Sequence, residues 1–220
     1  MSSKTDDVLP YHFPTTVALV DDDADFLAKI SLELDDDLAY RLFSSPSLAL
    51  DFLAESEQRE PLYRRCFSLS YEGKDAARCE HLIRCDVSRL EREVSNPDRF
   101  REVSVVLVDY DMPGMDGLEF CRRLRASKVK KVLFTGVVDE KVAVQAFNEG
   151  LIDRFIRKNA DNAPALINAT VRELQHEYLR ATSRFMARTL QAEPAGFCLT
   201  LPFRRTFRIY SGARRWSSII

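Results

Sequence analysis

Apolar residues in this chain gather in short unbroken runs, separated by stretches with helical spacing. Four runs stand out: Val17-Ala18-Leu19-Val20, Val105-Val106-Leu107-Val108, Lys131-Val132-Leu133-Phe134 and Arg154-Phe155-Ile156-Arg157. Apolar runs without alternation read as strands covered on both faces. Tyr40 to Phe43 gives a fifth, short strand. Between the strands the period changes. Over Asp25 to Leu34, residues Phe26, Leu27, Ile30 and Leu34 share one helix face. Ser45-Pro46 opens the next helix, with Ser as N-cap and Pro in the first turn. That helix carries Leu48, Ala49, Phe52 and Leu53. Leu118, Phe120, Cys121 and Leu124 form another face, and so do Val142, Ala143, Ala146 and Phe147, ended by Gly150. The alternation predicts an α/β fold, a doubly wound five-stranded parallel sheet with helices on both sides.

Three regions fall outside this rhythm. Asp22 and Asp109 lie 87 positions apart, and one strand, one helix and their connections fill little more than half of that. Residues 56–100 therefore read as an insertion, mainly helical, with Ala76 to Val94 as an amphipathic helix bearing Leu82, Ile83, Val87, Leu90 and Val94. Its nine acids and nine bases leave it without electrostatic bias, and it reads as docking on the rest of the chain or on a partner. Cys66, Cys79, His81 and Cys85 lie in it, but a six-residue cysteine spacing matches no common zinc module, so ordinary thiols are expected. The last helix runs without Gly or Pro after Pro164, over about 163–191. Ile167, Val171, Leu174, Tyr178, Ala181 and Phe185 step along it like a heptad seam. Such a seam fits a homodimer as well as packing against its own domain. Residues 1–14 read as a flexible lead. Residues 192–220 read as a loose basic tail, with arginines at 204, 205, 208, 214 and 215 interleaved with Phe203, Phe207, Tyr210 and Trp216. The same mix is suited to polyanions.

The chemistry lies where the strands stop. The first ends in Asp21-Asp22-Asp23 and the central one in Asp109-Tyr110-Asp111-Met112-Pro113-Gly114-Met115-Asp116-Gly117. The next ends in Thr135-Gly136 and the last in Lys158. Open parallel sheets place their ligands at this carboxyl edge. Acid pair, acid, hydroxyl and lysine, in that order, resemble the receiver domain of two-component response regulators, over about residues 15–162. The resemblance implies a flavodoxin-like (CheY-like) receiver fold. It also implies that Asp109 is the phosphoryl acceptor, Thr135 the switch hydroxyl, Phe155 the switch aromatic and Lys158 the family's lysine. Asp21, Asp22 and Asp109 would hold Mg²⁺ with the backbone carbonyl of Asp111. The implied partners are a histidine kinase or phosphotransfer protein and a downstream protein of unknown identity. Asn159 stands where the family usually has proline.

Composition changes this picture little. Apolar residues make up 45% of the 220, enough for a core, and the net charge of −2 gives no general attraction to nucleic acid or membrane. No apolar run approaches a membrane span and the start is polar and acidic, so a cytoplasmic protein without signal peptide is expected. The tail is too short for a helix-turn-helix output domain, so no sequence-specific DNA binding is expected. Five cysteines at irregular spacing suit reduced thiols. The run Asp35-Asp36-Asp37 reads as a solvated charge block. Two other functions compete with a non-enzymatic phosphoacceptor. Val108-Asp109-Tyr110-Asp111 also resembles the signature of haloacid-dehalogenase-like phosphatases, which want a second acid pair after the lysine. A scaffold that acts without phosphorylation, through the insertion and long helix, is the third.

Overall fold

The computed structural model describes residues 15–72, 80–136 and 140–182. The lead, the tail, the end of the long helix from residue 183 and the predicted seam residue Phe185 lie outside the described residues, as do Cys79 and Cys198. The chain divides into two compact units. The larger takes in the described residues up to Arg59 and Phe100–Tyr178; the smaller is Glu60–Arg99 with the helix end from Leu179.

In the larger unit, β1 (Thr16–Val20), β2 (Ala39–Phe43), β5 (Val103–Val108), β6 (Lys130–Thr135) and β7 (Arg154–Arg157) form one sheet, ordered β2-β1-β5-β6-β7. Every pairing is parallel. β1 and β5 are buried along their whole length, which is why they are written as unbroken apolar runs. Successive side chains still take opposite faces. Val17 and Leu19 join one core cluster with Leu27 and Ile30 of α1 (Ala24–Ser31) and with Ile167, Val171 and Leu174 of α7 (Ala163–Thr182). Ala18 and Val20 join the other, with Ala49 and Leu53 of α2 (Pro46–Gln58), Phe120 and Cys121 of α5 (Gly117–Arg123) and Ala146 of α6 (Glu140–Asn148). This is the five-stranded parallel sheet with helices on both sides that the pattern predicts.

The seam on the last helix has a different use from self-association. Ile167, Val171 and Leu174 are fully buried and Tyr178 nearly so. They spend their apolar surface inside the chain, and the Tyr178 hydroxyl donates to Glu102 at 3.2 Å. At these four positions the repeat packs within the domain, the other use that the spacing allows, while Ala181 is exposed. A helix laid on a sheet needs the same one-face repeat as a coiled coil. The acid run after α1 is also tied down. Arg172 donates to Asp35 at 2.5 Å and to Asp37 at 2.6 Å, although all three side chains are about half exposed. The two carboxylates hold its guanidinium above the ordinary arginine value.

The smaller unit adds a two-stranded antiparallel sheet to the helices expected of the insertion. It runs α3 (Leu62–Cys66), β3 (Phe67–Glu72), β4 (Glu80–Cys85) and α4 (Val87–Ser95), followed by a 3₁₀ turn, Pro97–Arg101. β3 and β4 pair antiparallel from Phe67↔Cys85 to Glu72↔Glu80. Of the helix predicted over Ala76 to Val94, residues Glu80–Cys85 are strand, and Ala76 to Cys79 lie outside the described residues. True helix starts only after Asp86, whose side chain caps it by accepting from the Arg89 N–H at 3.0 Å. Val87, Leu90 and Val94 keep the helical spacing, while Leu82 and Ile83 belong to the strand. Backbone bonding of Asp86 N–H to the Cys66 carbonyl (2.8 Å) and an Arg65–Glu93 ion pair close the unit. Cys66 is a buried free thiol. No helix among the described residues is long and apolar enough to cross a membrane.

Candidate functional site: an acid pocket at the carboxyl edge of the sheet

The site residues are placed by continuation of the sheet's own hydrogen bonding. The Asp21 N–H donates to the carbonyl of Phe43, the last residue of β2 (3.1 Å). The Asp109 N–H donates to the carbonyl of Val20, the last of β1 (2.9 Å). The Lys158 N–H donates to the carbonyl of Thr135, the last of β6 (3.0 Å). Each side chain therefore leaves a backbone that the ladder fixes.

Oxygens of Asp21, Asp22 and Asp109 lie within 4.8 Å of one another, the one such ligand cluster among the described residues. Asp21 and Asp109 are buried, whereas Asp22 is exposed. Lys158 Nζ sits 2.5 Å from Asp21 Oδ2 and 3.2 Å from Asp109 Oδ1. The peptide joining Lys158 to Asn159 is not cis, as none is among the described residues. The lysine is seated in the pocket without the family's usual proline. Thr135 is buried at the end of β6, and Phe155 is half-buried on β7, packed against the cluster that contains Leu133. Asp111 is exposed in the loop two residues after Asp109. Asp23, the third acid of the first run, serves the helix instead of the pocket. Its Oδ1 accepts from the Phe26 N–H at 2.9 Å and caps α1.

Burial is the main influence on both inner acids. It pushes the Asp21 and Asp109 carboxyls above the ordinary aspartate value of 3.8, and Lys158 offsets only part of this. A raised carboxyl makes the folded state bind more protons than the unfolded chain above pH 3.8. Stability of the metal-free protein is therefore expected to fall as pH rises through the folded values. Asp109→Asn removes one of these charges. Thermal melts without divalent cation should show the variant more stable than wild type at pH 7, with the gain shrinking towards pH 4. An equal gain at both pH values would mean that charge is not the cause.

The loop after Asp109 has a steric requirement. A β-carbon on Gly117 would lie 2.3 Å from the Asp109 carbonyl oxygen and 3.0 Å from Leu133. Gly117 also donates its N–H to the Tyr110 carbonyl at 2.8 Å. The residue is glycine because two backbone segments touch there, not only because a strand must end. Gly117→Ala should cost about 1–3 kcal/mol in urea melts. By displacing Asp109 it should also slow phosphoryl labelling on the order of tenfold or more. Gly114 adopts φ 78° in open space. Gly114→Ala should cost about 1–2 kcal/mol and leave labelling within a few-fold.

Of the residues singled out in the sequence, Asp21, Asp22, Asp109 and Lys158 come together here, but the sequence reading missed the aromatic surroundings of Lys158. Phe26 and Phe134 face its ammonium at 4.5 and 6.0 Å from their ring centroids. Both were legible only as apolar core positions. The acids gathered around Asp109 come from before it in the chain. Asp161, the acid close behind Lys158, is exposed in a turn. This order is not the one the phosphatase signature needs.

A family model described as the response regulator receiver domain matches residues 85–170, a stretch with Asp109, Thr135, Phe155 and Lys158. The chain is 40% identical to the response regulator LqsR of Legionella pneumophila, with a TM-score of 0.62, covering 84% of this chain and 51% of that one. It is 44% identical over 59 residues to the cyclic di-GMP phosphodiesterase response regulator RpfG of Xanthomonas campestris pv. campestris, 25% of this chain and 16% of that protein. It is 28% identical over 106 residues to protein-glutamate methylesterase/protein-glutamine glutaminase 1 of Photobacterium profundum, 44% of this chain and 30% of that protein. The chain thus spans about half of the LqsR structure and under a third of the other two. Sheet order and pocket agree with the matched segment: residues 85–170 of this chain match the receiver domain of the response regulator family.

Proposed function

We propose that the domain is a phosphoacceptor switch, taking a phosphoryl group on Asp109 from a histidine kinase or phosphotransfer protein and passing the change on through contacts with a downstream protein. The observation that supports this reading best is the meeting of three carboxylates and one ammonium at the sheet edge. A carboxylate oxygen of Asp109 attacks phosphorus and forms a P–O bond. The bond from phosphorus to the donor breaks, and the donor leaves with the electron pair. Little covalent work falls to the protein, so orientation and charge neutralisation carry the reaction. Lys158 is within reach to pair with a phosphoryl oxygen, and the Thr135 hydroxyl supplies a further hydrogen bond. Thr135 moving inward would open space for Phe155 to turn, altering the surface around β7.

The donor set fits a hard divalent cation, since it offers only oxygen and its carboxylates repel one another. Asp21, Asp22 and Asp109 would hold Mg²⁺ with the backbone carbonyl of Asp111. The ion would supply positive charge against the acids and the incoming phosphoryl oxygens. At 100 times its dissociation constant it should stabilise the fold by about 2.7 kcal/mol. Asp22→Ala should remove most of that gain in Mg²⁺-titrated melts, whereas Asp36→Ala should keep it. Equal responses would misplace the pocket.

The acceptor reading is tested by labelling with acetyl phosphate in Mg²⁺. Wild type should take an acid-stable, alkali-labile phosphoryl group at Asp109. Turnover of small phosphate esters, without a stable label, would favour a phosphatase instead.

A further inference from the structure

Lys158 has a contact that the acid pocket does not account for. An ammonium has three N–H donors and is strongly hydrated. Asp21 and Asp109 receive it on the polar side of the site. It also meets carbon: Nζ lies 4.5 Å from the centroid of the Phe26 ring and 6.0 Å from that of Phe134. The two rings lean on each other, with centroids 5.6 Å apart and planes tilted by 41°. We infer that Phe26, braced by Phe134, is a positioning residue that seats the Lys158 ammonium against the pocket through the face of its ring.

This seat is fixed by the same elements that fix the acids. Phe26 occupies the first turn of α1, four residues after Asp22, and its N–H is held by the Asp23 cap at 2.9 Å. Phe134 is buried in β6, next to Thr135. Phe26 packs against the core cluster that contains Phe134, and Phe134 directly precedes the site residue Thr135. An aromatic face attracts a cation through its quadrupole, which a saturated side chain of similar size does not. The lysine stem is long and has many rotamers, so a seat beside the acceptor reduces the freedom lost when the ammonium pairs with a phosphoryl oxygen. This last step rests on the reading of Asp109 as the acceptor.

Two measurements on the full chain separate the inference from that reading. In the metal-free protein, the Lys158 methylene next to Nζ, assigned by its absence from Lys158→Ala, should show an upfield ring-current shift in NMR spectra. Phe26→Leu should remove the shift and Phe26→Tyr should keep it. In Mg²⁺, beryllofluoride should bind about three- to tenfold more weakly to Phe26→Leu and within twofold of wild type to Phe26→Tyr. In a Lys158→Ala background, Phe26→Leu should make no further difference. An unshifted methylene in wild type overturns the inference. So does a loss from Phe26→Leu that is as large without Lys158 as with it, since the ring would then act by packing α1 alone. A wild type with the shifted methylene but no beryllofluoride binding upholds the seat and rejects Asp109 as acceptor.

Discussion

Asp109→Asn will abolish the phosphoryl label obtained with acetyl phosphate and Mg²⁺. The asparagine keeps the shape of the side chain and the N–H bond to Val20 that places it. It loses the charged oxygen proposed to attack phosphorus and the charge that pairs with Lys158 at 3.2 Å. An amide cannot replace a carboxylate as nucleophile here, so the effect should be loss of label rather than a few-fold slowing. Asp111→Asn is the control. It lies two residues away and is exposed, and only its backbone carbonyl is assigned to the site. Its label should stay within a few-fold of wild type. Label that persists in Asp109→Asn at the wild-type level would show that the acceptor is another residue. The same outcome with Asp109 and Asp111 exchanged would place the chemistry outside the buried pocket.

Leu174→Ala should destabilise the protein by about 2–5 kcal/mol. Leu174 is fully buried, in one cluster with Val17, Leu19, Ile167 and Val171. Truncating it removes apolar contacts and leaves space that a sheet and helix can only partly close. Against a typical domain stability of about 5–15 kcal/mol this is a large fraction. The urea midpoint should fall steeply. Glu173→Ala, on the exposed side of the same helix and paired with Arg154 at 2.8 Å, should cost less than about 1 kcal/mol. If Leu174 served a seam between two copies, the alanine variant would instead lower the sedimenting mass and leave the midpoint of the single chain unchanged. Sedimentation and urea melts together decide between these uses of one hydrophobic stripe.

Both expectations depend on where tertiary structure put residues that the sequence shows only as types. For the acids the sequence was nearly sufficient. A strand covered on both faces has to be written as an apolar run, and the residues directly after it have to fall at the sheet edge. Asp21, Asp109, Thr135 and Lys158 could thus be placed from local information alone, and parallel pairing brings such ends together. The steric role of Gly117 was hidden, because glycine after a strand reads equally as a turn signal. That the Asp109 carbonyl passes over it is a property of two segments, not of one.

The sequence by itself determined the strands of the sheet, the helix faces of α1 and α5, those of α2 and α6 apart from Leu48 and Phe147, which are exposed, and the acids and lysine that meet at the sheet edge. It could do so because each of these depends on a period or a terminus that is local in the chain. Only tertiary structure decided the rest. It assigned Ile167, Val171 and Leu174 to the domain's own core, since a coiled coil and a helix on a sheet impose the same spacing. It turned Glu80–Cys85 into a strand by giving it Phe67–Glu72 as a partner, where Leu82 and Ile83 happened to match a helical period with Val87. It drew Asp35 and Asp37 onto Arg172, more than a hundred residues away. It also brought the Phe26 and Phe134 rings to the ammonium of Lys158. In each case the deciding contact joins separate segments of the chain, so the pattern within one segment could not carry it.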